Sequence, residues 1–173
     1  MFKIPVNYAF IDAQNFYKSV QAIEKELGAL EVSLDLNEFR TYLRNKFAVL
    51  VAYYFVGYIP QNTGLYNHLR TQGYEPIFKQ VAVLKDGIKG NVDVNLALRA
   101  MIDIDTYQKA IIITSDGDYA CLVEYLHSKG KLECLIACSR GGASYLLRQL
   151  HTKIRIFYLD DIMRDLYKRK ETS

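Results

Sequence analysis

The residues with the clearest capacity for chemistry are two aspartates of an acidic turn, Asp116 and Asp118, in the sequence ITSDGDY. They lie on either side of one glycine and follow a run of isoleucines that is typical of a buried strand. Two carboxylates this close repel each other unless a cation lies between them or water screens them. The turn is therefore either a solvated turn or one wall of a metal site.

Two other segments bring polar side chains to similar positions. Asp12, in FIDAQNF, ends a predicted strand, and Asn15 follows at the start of a predicted helix. Asn15 suits a helix N-cap and can also point its amide into a cleft, so both roles stay open. Asp93 lies in the first turn of another predicted helix, where it either complements the helix dipole or, if buried, needs a partner. Asp118 has a capping alternative of its own, at the helix that begins at Tyr119.

Together these acids form a set of oxygen ligands without soft donors, which suits Mg²⁺ or Mn²⁺. Such an ion relieves the repulsion and can promote phosphodiester hydrolysis. The sequence contains neither a G-x-S-x-G elbow nor a P-loop, and KDGIKGN is not a Walker sequence. The histidines are scattered along predicted helices: His68, His127 and His151. The predicted metal ligands are Asp12, Asp93, Asp116 and Asp118, with Asn15 as an orienting group.

Strand-like and helix-like segments alternate along the chain, which predicts an α/β fold with a mostly parallel central sheet and helices on both faces. Asp35 and Glu38 have the spacing of a capping box. Gln80–Leu84 either extends the third strand or pairs as a ribbon across KDGIKG. The predicted strands are Tyr8–Asp12, Phe47–Phe55, Glu75–Lys79, Ala110–Thr114, Leu132–Ala137 and Ile154–Tyr158. The main predicted helices are Phe16–Leu27, Asn91–Ile102, Asp118–Lys129, Ala143–Leu150 and Leu159–Lys170.

This architecture predicts which acids meet. Ligands of open α/β sheets bind outside the carboxyl ends of the strands. Asp12, Asp116 and Asp118 follow strand ends and are expected to converge at that edge. Asp103 and Asp105 precede the fourth strand, so we expect them at the opposite edge as solvated charges.

Composition limits the class of protein. The 173 residues, 50% of them hydrophobic and 24% charged, predict one domain over residues 1–173, with a core of about 7–160 and a basic tail of about 167–173. The net charge of +3 permits a polyanionic partner without requiring one. The longest apolar stretch, from Phe47, is too short for a membrane span. Three cysteines without an export signal indicate reduced thiols and a cytoplasmic location.

The motifs FIDAQNFY, KGNVDVNLALRAM and ITSDGDYACLVEYL, in this order, resemble the NYN domain of the PIN-like nuclease superfamily, and within it the LabA-like group. The resemblance covers Tyr8 to about Tyr158. It implies a three-layer α/β/α sandwich and a metal-dependent ribonuclease site. The residues that match the family's site are Asp12, Asn15, Asp93, Asp116 and Asp118. Ser144 resembles a family serine near the site, although helix capping explains it equally well.

Weaker signals concern the substrate, which we expect to be RNA, single-stranded or structured. Lys85, Lys89 and Arg140 fall in loops predicted near the acidic edge, where they can meet phosphates or remain solvated. Tyr119 follows the acidic turn and can either stack on a base or pack in the core.

Two other functions remain open from the sequence. The fold can serve as a non-catalytic module that binds RNA or a protein partner. A phosphatase of the haloacid-dehalogenase type expects D-x-D on the first strand, whereas FIDAQN offers D-x-x-N. The sequence leaves self-association undecided.

Overall fold

The computed structural model describes residues 6–27, 34–80, 82–84, 87–89 and 93–171, and within these ranges the chain forms eight strands and seven α-helices. The strands are β1 (Asn7–Asp12), β2 (Val49–Tyr58), β3 (Glu75–Gln80), β4 (Ala82–Leu84), β5 (Gly87–Lys89), β6 (Ala110–Ile113), β7 (Leu132–Ala137) and β8 (Ile156–Tyr158). The helices are α1 (Ala13–Leu27), α2 (Leu36–Phe47), α3 (Thr63–Thr71), α4 (Asp93–Ile102), α5 (Ala120–Ser128), α6 (Tyr145–Gln149) and α7 (Leu159–Glu171).

Six strands form one sheet in the order β3-β2-β1-β6-β7-β8, and every pairing in it is parallel. Ile11 of β1 is in register with Tyr54 of β2 and Ile113 of β6. The predicted parallel α/β sheet is confirmed. The short strands β4 and β5 pair separately as an antiparallel ribbon, which confirms the ribbon alternative for this segment.

Helices cover both faces of the sheet because successive side chains of β1 point to opposite sides. Ala9 and Ile11 join the core with α1, α2, α3 and α7, whereas Phe10 joins the core with α4, α5 and α6. Fully burying a side chain the size of Ile11 or Phe10 stabilises the fold by about 1.5–3 kcal/mol. The expected three-layer α/β/α sandwich is confirmed.

The helix boundaries differ from the sequence prediction where side chains cap the helices. Helix α1 begins at Ala13 instead of Phe16, because Asp12 Oδ1 accepts a hydrogen bond from the backbone N–H of Asn15, at 3.2 Å. The predicted cap of α2 is confirmed: Asp35 accepts from two backbone N–H groups in the first turn.

At the other end of the chain, α7 continues to Glu171, so most of the predicted basic tail is helical.

The apolar stretch from Phe47 supplies β2, which lies between β1 and β3. Its buried side chains pack on both cores, as expected for a strand inside a parallel sheet. No helix in the described ranges combines the length and apolar character that crossing a membrane requires.

The strand order reverses beside β1. The chain first extends the sheet through β2 and β3, then crosses back to place β6, β7 and β8 on the other side of β1. In doubly wound sheets the crevice outside the carboxyl ends at such a reversal is the usual ligand site. Asp12 ends β1, and the acidic turn with Asp116 and Asp118 follows β6, so these acids border that crevice.

Candidate metal site

Asp12 lies at the floor of the crevice, with a side chain that is almost fully buried. Its Oδ1 accepts the Asn15 backbone N–H, and its Oδ2 accepts the Thr114 hydroxyl, at 3.2 Å. Burial raises the pKa of this carboxyl, the Asn15 bond opposes the shift, and the negative charges of Asp93 and Asp116 raise the pKa further. The structure therefore holds Asp12 in place next to other acids that disfavour its ionisation.

The acidic turn is shaped by its own side chains. Thr114 Oγ1 accepts the backbone N–H of Asp116 at 3.1 Å, and Asp116 Oδ1 accepts that of Asp118 at 3.0 Å. Asp116 thereby caps the 3₁₀ turn Gly117–Tyr119, which precedes α5. The capping role that the sequence offered to Asp118 belongs instead to Asp116, because α5 is preceded by this extra turn.

The carboxylates of Asp93, Asp116 and Asp118 converge near Asp12. One oxygen from each of Asp93, Asp116 and Asp118 lies within 4.8 Å of the other two. Asp93 reaches this point because it is the first residue of α4, which packs on the face of β1. Asp12 lies outside this set, although its charge interacts with those of Asp93 and Asp116. Within the described residues, no lysine or arginine forms an ion pair with Asp12, Asp116 or Asp118.

The Tyr119 hydroxyl holds Asp93 of the cluster in place. Its hydroxyl donates a hydrogen bond to Asp93 Oδ1 at 2.7 Å. Burial and this bond to a carboxylate raise the pKa of Tyr119, so the phenol remains a donor. The side chain is only 1% exposed, which leaves no ring face for a nucleobase. The suggested stacking role of Tyr119 is therefore wrong, and its core-packing alternative is correct.

Asn15 does not cap α1, because the helix begins two residues before it and Asp12 accepts the backbone N–H of Asn15. The Asn15 side chain crosses to the acidic loop, where its Oδ1 accepts the Ser115 N–H at 2.8 Å. Asn15 thus contacts Asp12 through its backbone and the acidic loop through its amide.

Ser115 joins the segments around the acidic loop. Besides its bond to Asn15, its hydroxyl accepts the backbone N–H of Cys138 at 2.7 Å, and its carbonyl accepts that of Ser144 at 3.0 Å. One residue therefore connects α1, the end of β7 and the start of α6. Nothing in the sequence singles out Ser115 or Thr114, except their position between a buried strand and the acids.

Ser144 lies beside the acidic turn and caps α6, with its Oγ accepting the Leu147 N–H at 3.3 Å. A Cβ at Gly117 would come within 2.8 Å of that Oγ, which explains why glycine separates the two acids of the turn. The capping alternative for Ser144 is confirmed, and a contact with substrate stays a prediction.

Of the three predicted cations, only the side chain of Arg140 is among the described residues. Arg140 follows β7 and forms an exposed ion pair with Asp161 at 3.5 Å, with its guanidinium over the Tyr158 ring. Lys89 ends β5, but its side chain lies outside the described residues, as do Lys85 and Asn91, the first residue of the predicted helix. Their contacts with substrate stay predictions.

Asp103 and Asp105 lie at the opposite edge of the sheet, as expected, but only Asp105 is exposed. Asp103 is buried, and its Oδ2 accepts from Arg99 Nε at 2.7 Å and from the Tyr53 hydroxyl at 2.9 Å. The prediction of a solvated charge is wrong for Asp103, because the arginine one turn earlier neutralises it inside the fold.

Comparison with known proteins identifies the fold and the family. The chain is similar in structure to a protein of unknown function from Vibrio parahaemolyticus, with a TM-score of 0.71 and 21% sequence identity over 94% of this chain and 99% of that one. No curated protein matches the chain. The NYN domain family model, which describes a PIN-like nuclease fold, matches residues 8–156. This match includes both strand ends and the helix start that bring the acids together, and the chain therefore belongs to the NYN domain family.

Proposed function

We propose that this protein is a Mg²⁺- or Mn²⁺-dependent ribonuclease that hydrolyses RNA phosphodiester bonds at the aspartate cluster. The observation that supports it most is the approach of the Asp93, Asp116 and Asp118 oxygens to within 4.8 Å of one another, near buried Asp12, whose charge interacts with those of Asp93 and Asp116. The family supports the same reaction, since PIN-like domains are generally nucleases and NYN domains generally bind RNA.

The donor set fits a hard divalent cation. All the converging atoms are carboxylate oxygens, the ligands that Mg²⁺ and Mn²⁺ prefer. Two ligands of one ion at about 2.1 Å can be at most about 4.2 Å apart, so a pair of oxygens at the 4.8 Å limit has to close by about 0.6 Å.

We assign the residues of the chain the following roles. Asp93, Asp116 and Asp118 hold the cation, and Asp12 completes the negative site from the floor of the crevice. When bound, the cation supplies a Lewis acid for phosphodiester hydrolysis and cancels the repulsion among the acids. Asn15 positions the acidic loop through Ser115.

The site has no histidine base in this proposal. His68, His127 and His151 are exposed and lie on three separate helical segments. Among the cations, Lys89 is assigned to the phosphate backbone. Arg140 can join it, because an exposed ion pair such as that with Asp161 holds the arginine by only about 0–1 kcal/mol.

The assignment to a group within the NYN family rests on sequence motifs. The order of FIDAQNFY, KGNVDVNLALRAM and ITSDGDYACLVEYL supports membership of the LabA-like group. The three cysteines, one of them buried in the core, support a cytoplasmic location where they stay reduced.

The test is cleavage of an end-labelled single-stranded RNA with Mg²⁺, with Mn²⁺ or with EDTA. We expect metal-dependent cleavage that falls at least about 100-fold in Asp116→Asn and in Asp12→Asn. Asp105→Asn, which removes an exposed carboxylate at the opposite edge, is the matched control and should cleave like the wild type.

Cleavage that persists at the wild-type rate in both site variants would refute the site. RNA binding without cleavage under all metal conditions would support a binding module instead. Fast hydrolysis of a small phosphomonoester, in parallel reactions, would support a phosphatase.

A further inference from the structure

Two exposed tyrosine rings lie on the two helices that contact the acidic loop. Tyr17 of α1 is 59% exposed and Tyr145 of α6 is 64% exposed, whereas Tyr119 of the acidic turn is buried. Asn15 of α1 and Ser144, the cap of α6, both form hydrogen bonds with Ser115. Exposed rings on these helices offer faces on which nucleobases can stack.

Tyr17 is tied to the Asp12 side of the crevice. It lies five residues after Asp12, about 7 Å along α1. Burial raises the pKa of Tyr54 of β2, and interactions with Asp12 and Tyr17 raise it further, so Tyr54 lies near both groups. Gln21 Nε2 donates to Tyr17 Oη at 2.9 Å, which holds the ring by its polar edge while most of its surface remains exposed.

Tyr145 lies on the other side of the acidic turn. Both of its neighbours contact Gly117, because a Cβ there would lie 2.8 Å from Ser144 Oγ and 3.4 Å from Leu146 Cδ1. Gln149 Nε2 donates to Tyr145 Oη at 2.6 Å, so this ring is held by the same i, i+4 arrangement as Tyr17.

An exposed cation accompanies each ring. Lys18 follows Tyr17 on α1, and Arg148 lies one turn after Tyr145 on α6. Alternating aromatic and basic side chains around a cleft are what single strands require, since bases stack on rings while phosphates meet cations. A duplex keeps its bases stacked inside and cannot use such rings.

We propose that Tyr17 and Tyr145 stack on nucleobases on the two sides of the aspartate cluster, so that the substrate is single-stranded RNA passing over Asp12, Asp93, Asp116 and Asp118. This inference rests on the proposed function of that cluster. Lys18 and Arg148 contact the flanking phosphates.

The chain contains no tryptophan, which allows a direct test of stacking. Tyr17→Trp and Tyr145→Trp each introduce the only tryptophan of the chain, whose emission is distinct from that of the tyrosines, and Asp116→Asn in the same chain keeps the RNA intact. Tyr125→Trp is the matched control, because Tyr125 is also exposed and has Lys129 over its ring, but lies near the far end of α5. We expect a single-stranded 12-nucleotide RNA to quench both site tryptophans and to leave the control unchanged, and a duplex of the same sequence to quench none.

Alanine and phenylalanine variants extend the test to affinity. By fluorescence anisotropy, Tyr17→Ala and Tyr145→Ala should each weaken single-strand binding about 5- to 100-fold, whereas Tyr→Phe should stay within about twofold because the ring is kept. Equal losses for Ala and Phe would overturn stacking.

The two proposals fail separately. If wild-type protein cleaves RNA but neither tryptophan is quenched, the stacking inference is wrong and the nuclease stands. If both are quenched but no metal supports cleavage, the protein is a single-strand binder and the nuclease proposal is wrong. Equal quenching by duplex and single strand would overturn the preference for single strands.

Discussion

Helix α4 has a carboxylate at each end, and the two environments are opposite. Asp103, just past its last residue, is buried against Arg99 and the Tyr53 hydroxyl. Asp93, the first residue of α4, lies about 15 Å away along the helix. It accepts the Tyr119 hydroxyl and faces two further acids, Asp116 and Asp118. Each end has a tyrosine hydroxyl that fixes a carboxylate, but only one end has an arginine of the same helix as counter-ion.

The comparison separates a structural acid from a functional one. A buried carboxylate is costly unless something compensates its charge. At Asp103 the compensation is covalently part of the chain and is present as soon as it folds. At the Asp93 end, Asp12, Asp116 and Asp118 form no ion pair with a lysine or arginine of the described residues, and a bound cation would supply the compensating charge.

The largest expected effect is on metal-linked stability. Mn²⁺ at about 100 times its dissociation constant should raise the free energy of unfolding of the wild type by about 2.7 kcal/mol. Asp116→Asn should lose most of that gain and Asp103→Asn should keep it, as measured by urea unfolding with and without metal. An equal gain in both variants would mean that the ion binds elsewhere.

Removing the internal counter-charge pair should have the next largest effect. Asp103→Ala removes the acceptor of Arg99 Nε and of the Tyr53 hydroxyl and should lower the free energy of unfolding by about 1–3 kcal/mol, with or without metal. Urea unfolding in EDTA measures this. A loss below about 0.3 kcal/mol would show that water replaces the acceptor.

The two tyrosine hydroxyls provide a closer comparison. Tyr119→Phe and Tyr53→Phe each remove one hydrogen bond to a carboxylate, and Tyr53→Phe also removes the acceptor of Arg99 Nη2. Each hydrogen bond that is lost should cost about 0.5–1.5 kcal/mol. Only Tyr119→Phe should also weaken Mn²⁺ binding, measured by calorimetry, since only its partner belongs to the acid cluster. If the two variants bind Mn²⁺ with equal affinity, Tyr119 does not position Asp93 for the metal.

The smallest effect is a pH dependence. Because the folded state raises the pKa of Asp12 above its ordinary value of 3.8, protonated Asp12 favours the fold. That contribution is complete below about pH 3.8 and is lost as pH rises through the folded pKa. In EDTA, the stability of Asp12→Asn relative to wild type should therefore increase with pH above 3.8 and then level off. A constant difference would contradict the raised pKa.

The sequence was sufficient for the sheet and for the approach of the acids. Strand alternation placed Asp12 and the acidic turn at neighbouring strand ends, and Asp93 at the start of α4, because parallel strands all end at one edge. The Asp35 cap was equally accessible, since capping depends on residues three positions apart.

The sequence alone does not reveal contacts between residues that lie far apart in the chain. The burial of Asp103 requires Tyr53, fifty positions earlier, as well as Arg99 one turn away. Whether a tyrosine faces solvent also depends on what the fold packs around it. That is why the sequence suggests Tyr119, which is buried, as a stacking residue and does not single out Tyr17 and Tyr145, which are exposed.

The three bonds of Ser115 have a consequence for the thermodynamics of ion uptake. Its amide, carbonyl and hydroxyl are each engaged by a different segment, so the backbone that presents Asp116 is already ordered when the chain folds. An incoming cation then has to restrain a few carboxylate torsions and not a loop. Its affinity is reduced less by lost conformational entropy, and its arrival should leave the backbone amide exchange of this loop nearly unchanged.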